Sequence, residues 1–334
     1  VNAKKLGAKS NCMPSIALLL LAGFAMADAG TKPAPETKEP ALDVVLVTGE
    51  HPGPSLWKVT SGDHTLWILG EVMPLPRRMK WRSTQFERLL KESQEVLVDD
   101  SDRVPEPANP QEFVALHNAG KLPRGQTLQE LISPDMYARV MAVRETFGVP
   151  VELKPLRPWA AGSVLYFAAY DSKDLVEFSV ADRAAKLAHK AKIPVTNIHF
   201  QQTFAELIGS LESAWGDDCL TRNVEILEDG GFGMRRLANA WSIGDIDQLR
   251  NLVPAYALAN ESWGPNEVTV CYRGGRERAR EYFEQRTAAW LKDCERVLRD
   301  HRSTIAVMPI GWLLAPDGFV AQLRARGYEV EEPE

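Results

Sequence analysis

The chain has 334 residues, 45% of them apolar and 25% charged, an ordinary globular composition with enough apolar bulk for a sizeable core. Its formal charge of −6 and its lack of an extended basic tract argue against phosphate-backbone binding, so no nucleic-acid partner is expected.

Residues 1–27 read as a secretory signal peptide. Lys4, Lys5 and Lys9 form a cationic start, Ile16 to Ala27 is an unbroken run of apolar and small residues, and Ala25-Met26-Ala27 has the small-x-small form of a cleavage site. The run is well short of the ~20 apolar residues that span a bilayer. Cys12 precedes the apolar run, so acylation is not expected there. A periplasmic or secreted location follows, with no transmembrane segment after signal cleavage. Residues 28–41, rich in Pro, Lys, Glu and Thr, read as a flexible linker, and one α/β domain is expected over 42–334.

Within that domain, Val44 to Val47 could add an edge strand, and Leu56 to Val59 and Leu66 to Leu69 read as strands joined by a hairpin turn at Gly62-Asp63. A glycine turn, Gly70-Glu71-Val72-Met73, follows the second strand. A helix starts at Ser83 or Thr84, with Thr84-x-x-Glu87 as a capping box, and leads to the strand Val96 to Val98 and then Asp99. Residues 110–150 read as helical, with Ser133-Pro134 as N-cap and first residue and Gly148 as a stop. Further helices follow Pro158 and Ala181, and Ile193 to Ile198 reads as a buried strand. Gln202 to Leu211 and Gly230 to Asn260 read as helical, the latter broken by glycines, and residues 260–275 as an irregular insert. A long amphipathic helix is expected from Arg276 to about Asp300, with Phe283, Trp290, Cys294, Val297 and Leu298 near helical spacing. The chain closes with the strand Thr304 to Met308, a second turn at Pro309-Ile310-Gly311-Trp312, a helix from Asp317 to Gly327, and Tyr328-Glu329-Val330. The last unit repeats the strand, turn, helix, strand layout of the first. Ligand crevices of open α/β sheets lie at the carboxyl ends of strands, so the two turns mark where chemistry would be done.

After the signal peptide three cysteines remain: Cys219, Cys271 and Cys294. Spacing alone does not choose among the three pairings. Cys294 sits on an apolar helical face, which suits a buried thiol and leaves Cys219 with Cys271 as a hypothetical bridge.

Six histidines, at 51, 64, 117, 189, 199 and 301, form no His-x-His or His-Glu-x-x-His pattern, so no local zinc cluster is expected. Gly-x-Ser-x-Gly, Gly-x-x-x-x-Gly-Lys and Gly-x-Gly-x-x-Gly are also absent. Gly230-Gly231-Phe232-Gly233 follows a helix and lacks the phosphate-binding lysine, which makes it a helix break.

Several stretches together resemble the TraB/GumN family: Leu56 to Val59, Leu66 to Gly70, Pro158-Trp159, Asp182-Arg183, Arg286 to Trp290, and Asp317-Gly318 through Leu323 to Val330. The resemblance implies two related α/β halves around a helical middle. It also implies kinship with metal-dependent peptidases, whose Gly-x-x-His turns and a glutamate build the site, and with exopolysaccharide gene clusters. In this chain Met73 and Trp312 stand where the family histidines would be, Pro309 replaces the second glycine, and Asp99 stands for a family acidic residue. His199 stands where a later glutamate is expected, and Arg286-Thr287 is what remains of an Arg-Asn pair. Thioether and indole do not replace imidazole on zinc. The resemblance with these replacements implies an envelope protein with a degenerate hydrolase site, acting as a binding or accessory factor for a peptide or saccharide ligand.

The alternative is an active hydrolase using Glu71, Asp99, His199 and Arg286 in one cleft. No cofactor is expected, beyond a hard oxygen site for Mg2+ or Ca2+ at Glu71 and Asp99. Gly70, Met73 and Trp312 are expected to line an apolar or sugar-stacking substrate pocket.

Overall fold

The computed structural model describes residues 51–333 except 74, 100–106, 173–174, 177–179, 199–202, 214–217, 229–231, 257–275 and 316–317. The expected signal peptide, linker and first edge strand, together with His199, Cys271 and the insert over 260–275, lie outside the described residues.

Strand β1 (Leu56–Ser61) turns through Gly62, at φ +61°, into β2 (His64–Glu71), the positive φ that a two-residue hairpin requires. The short β3 (Leu75–Pro76) leads to helix α1 (Thr84–Glu92) and strand β4 (Glu95–Asp99). Helices α2 (Pro110–Ala119), α3 (Leu128–Leu131), α4 (Pro134–Thr146) and α5 (Pro158–Ser172) follow. Next come β5 (Leu175–Val176), α6 (Val180–Ala191) and β6 (Val195–Ile198). Helices α7 (Phe204–Ser213), α8 (Asp218–Leu227), α9 (Phe232–Ile243) and α10 (Ile246–Tyr256) precede the long α11 (Arg276–Asp300). The chain ends with β7 (Ser303–Pro309), α12 (Ile310–Leu314), α13 (Phe319–Ala325) and β8 (Glu329–Glu331). Among the described residues no helix is long and apolar enough to cross a membrane.

Six strands form one sheet in the order β6-β4-β7-β2-β1-β8, which makes the fold α/β as expected. Strands β6, β4, β7 and β2 run parallel, and β1 is antiparallel to both β2 and β8. The central strands are fully buried, as a parallel sheet covered on both faces requires: Leu66, Ile68, Leu97, Ile305, Ala306, Val307 and Met308 are all inaccessible. Strand β6, expected as buried, is mostly half-exposed because it forms the sheet edge.

The two similar end units interleave within this single sheet. From β2 the chain crosses over β7 to reach β4, and from β7 it crosses over β2 and β1 in the opposite direction to reach β8. Parallel crossovers are right-handed in about 98% of cases, so connections leaving in opposite directions lie on opposite faces. The boundary between β2 and β7 is therefore the switch point of a doubly wound sheet, where the ligand crevice of such folds opens.

Side-chain alternation then sorts the residues. Glu95 and Leu97 stand level with Thr304 and Ala306 of β7, which in turn stand level with Leu66 and Ile68 of β2. Glu95, Leu97 and Asp99 consequently share a face with Ile68 and Gly70, while Glu71 points to the other. Helix α11 covers the first face and α6 the second.

A second hydrophobic core lies in the helical middle, built from α2 to α5, α7 and α8, with Leu116, Val140, Trp159, Leu165, Leu207 and Val224 inside. Helices α9 and α10 instead pack Trp241 and Leu249 into the sheet core.

Local signals held at several ends and gave way at others. Ser133 caps α4 by accepting from Met136 N–H at 3.1 Å, and Gly148 follows its end at φ +59°. At α1 the N-cap is Ser83, and the Thr84 capping box does not form: Ser83 Oγ donates to Glu87 Oε1 at 2.6 Å, and Arg183 Nη2 reaches both. A tertiary ion pair from α6 has taken the side chains that a local box would use. The second turn is not a glycine turn, since Pro309 is the N-cap of α12 and Gly311 lies inside that helix. Cys294 is a free, fully buried thiol whose ionisation burial pushes far upward, so it is chemically quiet. The side-chain placement of Cys219 lies outside the described residues.

At the amino end of β4, Glu95 is gripped from several sides. Arg296 donates to both its oxygens at 2.9 and 2.8 Å, Thr196 Oγ1 donates at 2.5 Å, and His301 Nε2 lies 2.8 Å from Oε2. Burial pushes this carboxyl up, but the hydrogen bonds from Arg296, Thr196 and His301 outweigh that and hold it at about 2, against an ordinary 4.5. A depressed folded value contributes stability above the unfolded value, and that stability is lost as pH falls from about 4.5 toward 2. Glu95→Gln should therefore lose roughly 2–3 kcal/mol at neutral pH. Urea unfolding across pH should show this variant lacking part of the acid-side decline of the wild type.

Candidate functional site

The switch point is built by close packing. Pro309 ends β7 and cannot donate a backbone hydrogen bond, so it suits the first position outside α12. Helix α12 then folds directly over the end of β2. A Cβ on Gly70 would lie 2.7 Å from Ile310 Cγ1 and 3.1 Å from Leu313 Cδ1, so only glycine allows this approach. The Gly70 carbonyl accepts the indole N–H of Trp241 at 2.6 Å.

Beside it, at the carboxyl end of β4, Asp99 meets helix α11. Oδ2 of Asp99 accepts from Arg286 Nε at 3.0 Å, Arg286 Nη2 at 2.8 Å and Trp290 Nε1 at 2.7 Å. Both side chains of the ion pair are 3% exposed, which removes the solvent screening that makes surface pairs weak. The Arg286 guanidinium carbon also stands 4.3 Å from the centroid of the Trp312 ring. A buried cation over an indole face contributes up to about 2 kcal/mol. Arg286 is thus bound by a carboxylate and an aromatic face together.

Asp99 and Arg286 are brought together as the sequence suggested, and Trp312 joins them. Glu71 is not. It is buried on the opposite face of the sheet, where its Oε2 accepts from Ala181 N–H in the first turn of α6 at 3.1 Å. A carboxylate there satisfies a helix N-terminal donor and complements the helix dipole, which is a structural use. The proposed cleft of Glu71, Asp99, His199 and Arg286 is therefore not assembled as expected, and Glu71 with Asp99 do not form an oxygen site for Mg2+ or Ca2+.

The expected pocket of Gly70, Met73 and Trp312 is also corrected. The space over Gly70 is filled by Ile310 and Leu313, Trp312 is 2% exposed, and Met73 is 40% exposed. With Arg286 over its ring, Trp312 has no free face for a sugar.

Met73 and Trp312 do not suit zinc, because Met73 offers a weak thioether and Trp312 an indole whose nitrogen only donates. Among the described residues no group of three His, Cys, Asp or Glu side chains is placed to hold a metal ion.

Trp290 was missed as part of this site. The signal was present: Arg286 and Trp290 are four residues apart on one helix, which puts both on the same face. Trp241, which holds the Gly70 carbonyl from a distant helix, had no such local signal.

Removing one partner of a buried ion pair costs about 3–5 kcal/mol because the other charge is left uncompensated. Arg286→Met should therefore destabilise the protein by that amount in urea unfolding. Combined with Asp99→Asn, the total should fall short of the sum of the two single losses by about 1–3 kcal/mol.

No curated protein and no solved structure is similar enough to match the chain. The sequence profile of the TraB/PrgY/gumN family matches residues 55–332, from the first strand of the sheet to just beyond its last. The chain belongs to the TraB/PrgY/gumN family.

Proposed function

We propose that this is an envelope protein, exported by residues 1–27 and located in the periplasm or secreted, whose ancestral metal-hydrolase centre has degenerated. It acts as a binding or accessory factor for a peptide or saccharide, on the exopolysaccharide side of the family's range.

The observation that carries this reading is the Arg286 guanidinium packed between Asp99 and the Trp312 ring. A zinc hydrolase keeps an open coordination position for water, with imidazole or carboxylate ligands around it. Here one of the family's two histidine positions is a buried indole under a cation, and the acid beside it is committed to three N–H donors. The export and polysaccharide parts rest on the cationic, apolar, small-residue order of residues 1–27 and on the family's association with exopolysaccharide gene clusters.

Metal analysis of protein purified without added metal, beside a peptide-hydrolysis screen, tests the loss of the centre. The expected result is zinc far below one per chain and no hydrolysis that a chelator removes. Stoichiometric zinc with chelator-sensitive hydrolysis would overturn it. The Met73→His, Trp312→His double variant should bind more zinc than the wild type in the same assay.

A further inference from the structure

We infer that the connection between β3 and α1 docks this protein onto an anionic membrane surface. Residues 77–82 read Arg-Arg-Met-Lys-Trp-Arg, and Arg77, Arg78, Lys80 and Arg82 are all exposed, on a chain whose overall charge is −6. Among the described residues, no hydrogen bond or ion pair engages the side chains of Arg78 and Lys80.

The loop is a platform rather than a loose turn. Trp81 points inward, 5.4 Å from Trp241 edge-on and 6.2 Å from Phe86, with the Arg183 guanidinium 5.2 Å over its ring, and Met79 packs half-buried against the same core. The backbone on either side of Trp81 is tied to His51: His51 N–H donates to the Lys80 carbonyl at 3.1 Å, and Arg82 N–H donates to the His51 carbonyl at 2.7 Å. The cations are therefore displayed with little ordering cost on binding. Glu87, the carboxylate closest in sequence, is already held by Ser83 and Arg183.

One feature favours a lipid surface over a glycan. The aromatic ring that could stack on a sugar, Trp81, is buried. Exposed cations on a fixed backbone suit the phosphate headgroups of an anionic bilayer.

Co-sedimentation of the exported form, residues 28–334, with phosphatidylcholine vesicles, with and without about 30 mol % phosphatidylglycerol, tests this. The expected result is a clear preference for the anionic vesicles that disappears at about 0.5 M salt. Arg78→Gln with Lys80→Gln should weaken partitioning roughly 25-fold, about fivefold per charge. Arg124→Gln with Lys154→Gln, the same charge change at exposed positions of the helical lobe, should leave it unchanged. Both variants alter exposed side chains, so both should keep the wild-type melting temperature. Equal partitioning to neutral and anionic vesicles would overturn the inference, as would an unaffected Arg78/Lys80 variant. Binding to soluble polygalacturonate that depends on Arg78 and Lys80, without vesicle binding, would overturn it in favour of an acidic glycan.

Discussion

The parallel pairing of β2 with β7 is the constraint on which the rest of the molecule depends. It joins the two ends of the chain, sets Gly70 level with Met308, and sends the two crossover connections to opposite faces of the sheet. Because a strand alternates its side chains, the same register decides that Glu71 and Asp99 serve different helices. Two acids that look like partners in sequence are separated by the thickness of one sheet. The pairing also demands glycine at position 70, since α12 leaves β7 and packs at once against the end of β2.

Helix α11 locks this arrangement by holding β4 at both ends. Arg296 grips Glu95 at the amino end, and Arg286 grips Asp99 at the carboxyl end. The distances agree with the regular geometries. Ten residues of helix rise about 15 Å, and four residues of strand advance about 13 Å, so an antiparallel helix lies along the strand with its arginines over both acids. The helix then delivers the chain to the start of β7 beside β4. The two clamps differ in chemistry: Glu95 gathers hydrogen bonds from Arg296, Thr196 and His301, whereas the Asp99 clamp adds two indoles and is almost fully buried. Buried ion pairs are costly to break but add little net stability over an apolar core. Their value here lies in fixing the register of α11 on the sheet.

Much of the fold was legible in the sequence because it rests on local signals. Arg276 to Asp300 is one helix with the expected buried stripe, the Gly62-Asp63 hairpin forms, and the central strands are continuous apolar runs. Failures occurred where tertiary contacts override a local preference. Arg183 draws Ser83 and Glu87 away from a capping box, α12 absorbs the second glycine into a helix, and β6 is exposed by its position at the edge. At the candidate site Asp99 and Arg286 were legible as members of one cleft, Asp99 at a strand end and Arg286 within the long helix. The inward turn of Trp312 and the opposite facing of Glu71 were not, because both follow from sheet register and helix packing.

By itself the sequence determined most of the element types, the α/β class and the family, since these depend on periodicity, turn chemistry and residue identity. Only the tertiary structure decided which acid meets which base. That choice depends on strand order and register, which join residues far apart in the chain and leave no local trace. It decided that Arg286 lies over Trp312, that Glu71 serves the start of α6, and that four cations around an inward Trp81 share one rigid edge.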